Sequence, residues 1–121
     1  MKPILKLSLL TFLVSQTGIA QKFNNALISQ SSEINFGKTQ KRGIKKNNIV
    51  YYVENDLQTI SAYKKKKLKW QTNVISVCGK PQKGNPEIRY VGYNTDKLII
   101  VMGKHHFAEI DINSGLTRLV G

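Results

Sequence analysis

From Asn48 to the C-terminus, apolar and β-branched residues come in short runs separated by turn-forming residues. Ile49–Val53 reads IVYYV and is followed by Asn55 and Asp56, residue types whose side chains bond their own backbone in turns. Residues 57–63 are the next strand candidate, residues 64–66 the next turn, and Lys67–Asn73 a third strand containing Trp70. Val74–Cys78 extends that apolar run, and residues 79–86, with two Gly and two Pro, read as a loop. Residues 87–93 and 98–102 (LIIVM) are strands flanking a turn at Asn94, Thr95 and Asp96. Residues 106–112 follow, then the turn Asn113, Ser114, Gly115 and a last strand over residues 116–120.

No stretch offers three turns of amphipathic helix. The expected fold is therefore all-β, a small antiparallel meander of about seven or eight short strands, arranged as a sandwich or an open sheet pair. IVYYV and LIIVM are apolar on both faces, so each belongs in the middle of a sheet. Residues 48–121 form the expected domain, a marginal size for a self-sufficient core. Residues 21–47 show neither a 3.6 nor a 2.0 period and are expected to be a flexible basic leader, with Phe23, Leu27 and Ile28 able to pin one short segment. Either this leader or another chain must cover one face of the sheet.

Sliding the chain by 49 residues places IVYYV on LIIVM, Tyr63 on Ile112, Lys66 on Gly115 and Trp70 on Leu119. The two copies, near residues 49–72 and 98–121, each read as a three-strand meander whose fourth strand comes from the segment before it. The second copy has Ile110, Asp111, Ser114 and Gly115 at positions that resemble the Leu-x-Ala-Leu-Asp-x-x-Thr-Gly-x-x-x-Trp repeat of quinoprotein-like β-propellers; Leu119 replaces the Trp. The first copy keeps Trp70 but has Ala62 and Lys66 where Asp and Gly are expected. The resemblance implies blade-like sheets. Closed propellers have about 4–8 blades, so two copies imply no ring, no quinone and no other cofactor. Asp111 and Gly115 have a local role of their own, as a turn with a backbone-bonding carboxylate and a glycine free to take positive φ.

Residues 1–20 combine Lys2 and Lys6, a short apolar run over residues 7–14, and small residues at Gly18 and Ala20. This is the pattern of a secretory signal peptide, so the protein is expected to be exported, to a periplasm or beyond the cell. The apolar run is too short for an integral span. Among 121 residues there are 19 Lys+Arg against 7 Asp+Glu, a net charge of +12, and cleavage after Ala20 leaves +10. Cys78 is the one cysteine, which excludes an internal disulfide, and its apolar neighbours suggest a buried thiol.

Ten of the seventeen basic residues after position 20 fall in two clusters: Lys64, Lys65, Lys66, Lys67 and Lys69, and the stretch from Lys38 to Lys46. The first cluster is the candidate anion-binding site, one that an anionic polymer or envelope lipid would feel and salt would screen. Export argues against a nucleic-acid partner. The sequence contains no phosphate loop, nucleophile elbow or metalloprotease motif. As a strand, residues 105–111 would put His105 on one side with Glu109 and Asp111, and His106 on the buried side with Ala108 and Ile110. His105 and Glu109 are the only basis for an alternative, a small metal-dependent hydrolase. The leading expectation is a non-enzymatic β-module, without metal or catalytic residues, that binds or scaffolds at the cell envelope. Its partners are an envelope protein, an anionic polymer or a second copy of itself.

Overall fold

The computed structural model describes residues 23–121; the expected signal peptide lies outside the described residues. The described residues form ten strands, β1 (Ile28–Ser29), β2 (Glu33–Asn35), β3 (Gly43–Lys46), β4 (Ile49–Val53), β5 (Thr59–Lys64), β6 (Lys67–Asn73), β7 (Lys83–Asn94), β8 (Lys97–Lys104), β9 (His106–Asp111) and β10 (Thr117–Leu119). One short helix, α1 (Val74–Cys78), joins β6 to β7. The strands make two five-stranded sheets, ordered β1-β3-β4-β5-β6 and β10-β9-β8-β7-β2. Within each sheet the main body is an antiparallel four-strand meander, β3 to β6 and β7 to β10. Each meander is extended at one edge by a short strand from residues 28–35.

IVYYV is β4 and LIIVM lies within β8, each at the centre of its sheet. One core lies between the sheets, with Ile44, Val53, Ile60 and Ala62 from the first and Val91, Leu98, Ile100, Met102 and Ile110 from the second. The architecture is thus a sandwich, and alternation along β8 points Leu98, Ile100 and Met102 inward. IVYYV is apolar on both faces for a different reason. Tyr51 and Val53 face this core, while Val50 and Tyr52 join Tyr63 in a smaller cluster on the outer face, covered by Phe23, Ile28 and Leu68.

The leader is where structure and sequence reading diverge. Its described part supplies β1, β2 and β3, with Ile34 and Ile44 almost fully buried. It crosses between the sheets: β1 pairs in parallel with β3, β2 pairs with β7, and β3 returns to the first sheet. Strands of two to four residues are too short to show a period, which is why the pattern did not reveal them. Gly43 permits the close packing of β1, since a Cβ there would lie 2.9 Å from Ile28 Cδ1 and 2.9 Å from the Tyr51 carbonyl oxygen.

Two further segments depart from expectation. Val74–Cys78 is helical rather than a strand extension, because Asn73 Oδ1 accepts from Ser76 N at 2.9 Å and Gly79, at φ 87°, stops the turn. The helix buries Val74 and Ile75 at one end of the core. The expected loop over residues 79–86 ends early, since β7 begins at Lys83. Its ladder with β8 is interrupted between Lys83 and Ile88, and that gap accommodates Pro86, which has no N–H to donate.

Candidate anion-binding site

The site is built from two hairpins. β3 and β4 are joined by Asn47 and Asn48, β5 and β6 by Lys65 and Lys66, and all four residues have left-handed φ, 52°, 65°, 53° and 67°. Two-residue loops with both φ positive match the right-handed twist of the flanking strands. Ile49 pairs with Lys64, so both turns project from the same end of the sheet. Asparagine is at ease in this conformation. Lysine is not, and each such residue costs about 1 kcal/mol or more.

Register divides the lysines between the two faces. Lys45, Val50, Tyr63 and Leu68 form one row on the outer face. Lys46, Ile49, Lys64 and Lys67 form the next row, on the face that carries the core. Lys64 and Lys67 are direct cross-strand partners, an arrangement in which like charges repel. Lys69 falls at a register shift, since Ala62 pairs with Trp70 and Tyr63 with Leu68, leaving Lys69 exposed and unpaired in the ladder. A cavity of about 540 Å³ opens on the outer face, lined by Phe23, Ile28, Lys45, Tyr63, Lys65 and Lys66 among others.

The cavity has an aromatic floor. The Phe23 ring lies 5.1 Å from that of Tyr63 and 5.6 Å from that of Tyr52. The Tyr63 hydroxyl is engaged away from it, donating to Glu54 Oε2 at 3.1 Å, and the same oxygen accepts from Ser61 Oγ at 2.6 Å. Gln71 Nε2 donates to Ser61 Oγ at 2.8 Å. Burial, then the charge of Glu54 and the bond to it, pushes the Tyr63 phenol up to about 12. Among the described residues the ion pairs are Lys97–Asp96 and Arg118–Glu109, so the lysine turns have no carboxylate counter-charge beside them. The result is a concave surface with an aromatic floor and lysines at its rim, a local positive field that attracts anions.

The structure thus brings Lys65 and Lys66 together with Lys45, places Lys64 and Lys67 beside Lys46, and leaves Lys69 on the edge strand. The rest of the second basic cluster goes elsewhere. Lys41 Nζ donates to the Ala26 carbonyl at 2.9 Å, and Arg42 Nη2 donates to the carbonyls of Val53 and Glu54 at 3.0 and 2.6 Å, toward the opposite end of β4. Sequence reasoning missed the participation of Phe23 and Tyr63. The available signal was the pair of two-residue turns, Asn47-Asn48 and Lys65-Lys66, between strand-forming runs.

The other sequence candidates are dispersed. His105 is not on a strand; it occupies the turn between β8 and β9 at φ 57°. Glu109 accepts from Arg118 Nη2 at 2.9 Å. His106 Nε2 lies 3.0 Å from the Gly79 carbonyl oxygen. No group of three or more His, Cys, Asp or Glu capable of holding a metal occurs among the described residues. Cys78 is half-buried against the core, and burial raises its thiol pKa. Asp111 and Gly115 do form a turn. Asp111 Oδ1 accepts from Asn113 N at 2.8 Å and Ser114 N at 3.0 Å, which holds its carboxyl below the usual range, and Gly115 sits at φ 79°. No helix among the described residues is long and apolar enough to cross a membrane.

A scan against protein-family models and a search of curated proteins found no match to the chain.

Proposed function

We propose that this chain is an exported, non-enzymatic β-module that binds an anionic polymer at the cell envelope through the lysine-rich end of its first sheet. The observation that carries this reading is the convergence of Lys45, Lys65 and Lys66 around one aromatic-floored cavity, with Lys64 and Lys67 directly opposed on the other face of the same hairpin. Left-handed lysines and paired like charges both work against folding. Local features that oppose stability are characteristic of places where a sequence serves a ligand. The net charge of +10 that remains after the expected cleavage and the N-terminal pattern of an exported protein agree with an anionic envelope partner.

Inorganic polyphosphate is a suitable probe. Titrated into labelled protein, it is expected to shift amide resonances of Lys45, Val50, Tyr63, Lys65 and Lys66 more than those of β9 and β10. Shifts spread evenly over all lysines, or confined to the second sheet, would refute the assignment.

A further inference from the structure

A second groove, of about 890 Å³, lies at the other end of the sandwich from the lysine turns. Its apolar floor is Phe36, Leu57 and Ile88, and its rim carries Lys41, Arg42, Arg89 and Lys104 against one carboxylate, Glu87. The concavity is built by local irregularity. The β7–β8 ladder shifts register twice, between Lys83 and Ile88 and between Ile88 and Tyr90. Gly84 and Gly103 let the two backbones close beneath it, since a Cβ on Gly84 would lie 2.9 Å from Gly103 Cα. Leu57 enters the groove from a left-handed backbone, φ 58°, a conformation rare for a bulky side chain and one that collects at ligand sites.

The two arginines are held in place without counter-charges. Arg42 is fixed through Nη2 to the Val53 and Glu54 carbonyls, its guanidinium carbon lies 6.0 Å from the Phe36 ring centroid, and its Nε is buried with no hydrogen-bond partner. Arg89 Nε donates to the Gly103 carbonyl. Phe36 connects the pair, because its amide donates to the Arg89 carbonyl at 3.0 Å. Among the described residues neither arginine is in an ion pair. Arg42, half-buried with its Nε unpartnered, gains more from an anion than an exposed lysine does, and Arg89, itself exposed, adds a second guanidinium.

We propose that this groove binds a medium-chain carboxylic acid, its carboxylate between Arg42 and Arg89 and its chain on Phe36, Leu57 and Ile88. The apolar floor selects against a bare inorganic anion. A planar guanidinium matches a carboxylate in geometry as well as in charge. This site is separate from the lysine turns and does not depend on the function proposed for them.

Calorimetric titration with decanoate, below its micelle-forming concentration, tests the proposal against decanol and acetate. Decanoate is expected to bind at least about tenfold more tightly than either, because it alone supplies both charge and chain. Arg89→Gln is expected to weaken decanoate about tenfold, and Leu57→Gly, which relieves the backbone while removing the apolar side chain, to weaken it too. The pair Lys65→Asn and Lys66→Gly should leave decanoate affinity unchanged. Equal binding of decanol, no binding of decanoate, or undiminished affinity in folded Arg89→Gln would each overturn the assignment. Should Arg89→Gln fail to fold, unchanged affinity in Leu57→Gly would do so.

Discussion

The indole of Trp70 lies directly on Gly115: a Cβ at that glycine would sit 2.7 Å from Trp70 Cδ2, and Trp70 Nε1 donates to the Ile112 carbonyl at 2.8 Å. A side chain of β6 in the first sheet therefore docks on the turn between β9 and β10 of the second. Gly115→Ala combines a left-handed φ of 79° with this overlap. It is expected to destabilise the protein by about 2–4 kcal/mol, read from urea unfolding. A loss below about 1 kcal/mol would mean that the two sheets are not joined here as described.

Lys65 and Lys66 should trade stability for binding. Replacing them by Asn and Gly, the residues a two-residue turn of this type favours, is expected to stabilise the fold by about 1–2 kcal/mol. For a domain of this size that raises Tm by roughly 4–8 °C for each kcal/mol. The same variant should bind polyphosphate more weakly. A lower Tm on thermal melting would show that the left-handed lysines are not strained.

Two tyrosines set the alkaline limit. Burial, with a contribution from Tyr93, pushes the Tyr51 phenol up to about 12, and Tyr63 is pushed to a similar value. Both folded values lie above the ordinary tyrosine value of 10.0. The unfolded chain therefore ionises first, and the associated stability, complete below pH 10, is lost as pH rises through about 12. Absorbance titration of phenolate should show these two groups still protonated above pH 10 and ionising toward about 12. The unfolding free energy should fall over the same interval, less steeply in Tyr63→Phe. Ionisation of all tyrosines together near pH 10 in the folded protein would contradict the burial described here.

Residues 23–47 belong to the folded unit. Ile44→Ala is expected to cost about 2–5 kcal/mol, as for any fully buried isoleucine. Removing Phe23 and Ile28 should uncover Val50, Tyr52 and Tyr63 and lower stability as well. A variant lacking residues 23–47 that melts like the intact protein would restore the reading of this stretch as a loose leader.

How much of the fold is legible in the sequence follows from segment length and from distance along the chain. IVYYV and LIIVM declare themselves because five consecutive apolar residues have few alternatives to a central strand. Lys67–Asn73 is legible to the residue because a lysine turn precedes it and a capping asparagine ends it. β1, β2 and β3 are hidden, since two to four residues carry no measurable period and their partners lie far off in sequence. Val74–Cys78 misleads because its β-branched residues favour a strand while Asn73 and Gly79, which cap it as a helix, act through geometry alone. At the lysine site the charges are visible, but the aromatic floor is not. Phe23 reaches Tyr63 only through the pairing of β1 with β3, a proximity that no local pattern encodes.

The lysine turns as a polyanion-binding surface are the central claim, and the salt dependence of polyphosphate affinity measures it directly. Log affinity should fall linearly with log salt concentration. The Lys65→Asn, Lys66→Gly variant should show a slope shallower by about 2, roughly one for each lysine that no longer pairs with a phosphate. An affinity indifferent to salt, or an unchanged slope in the folded variant, would contradict it.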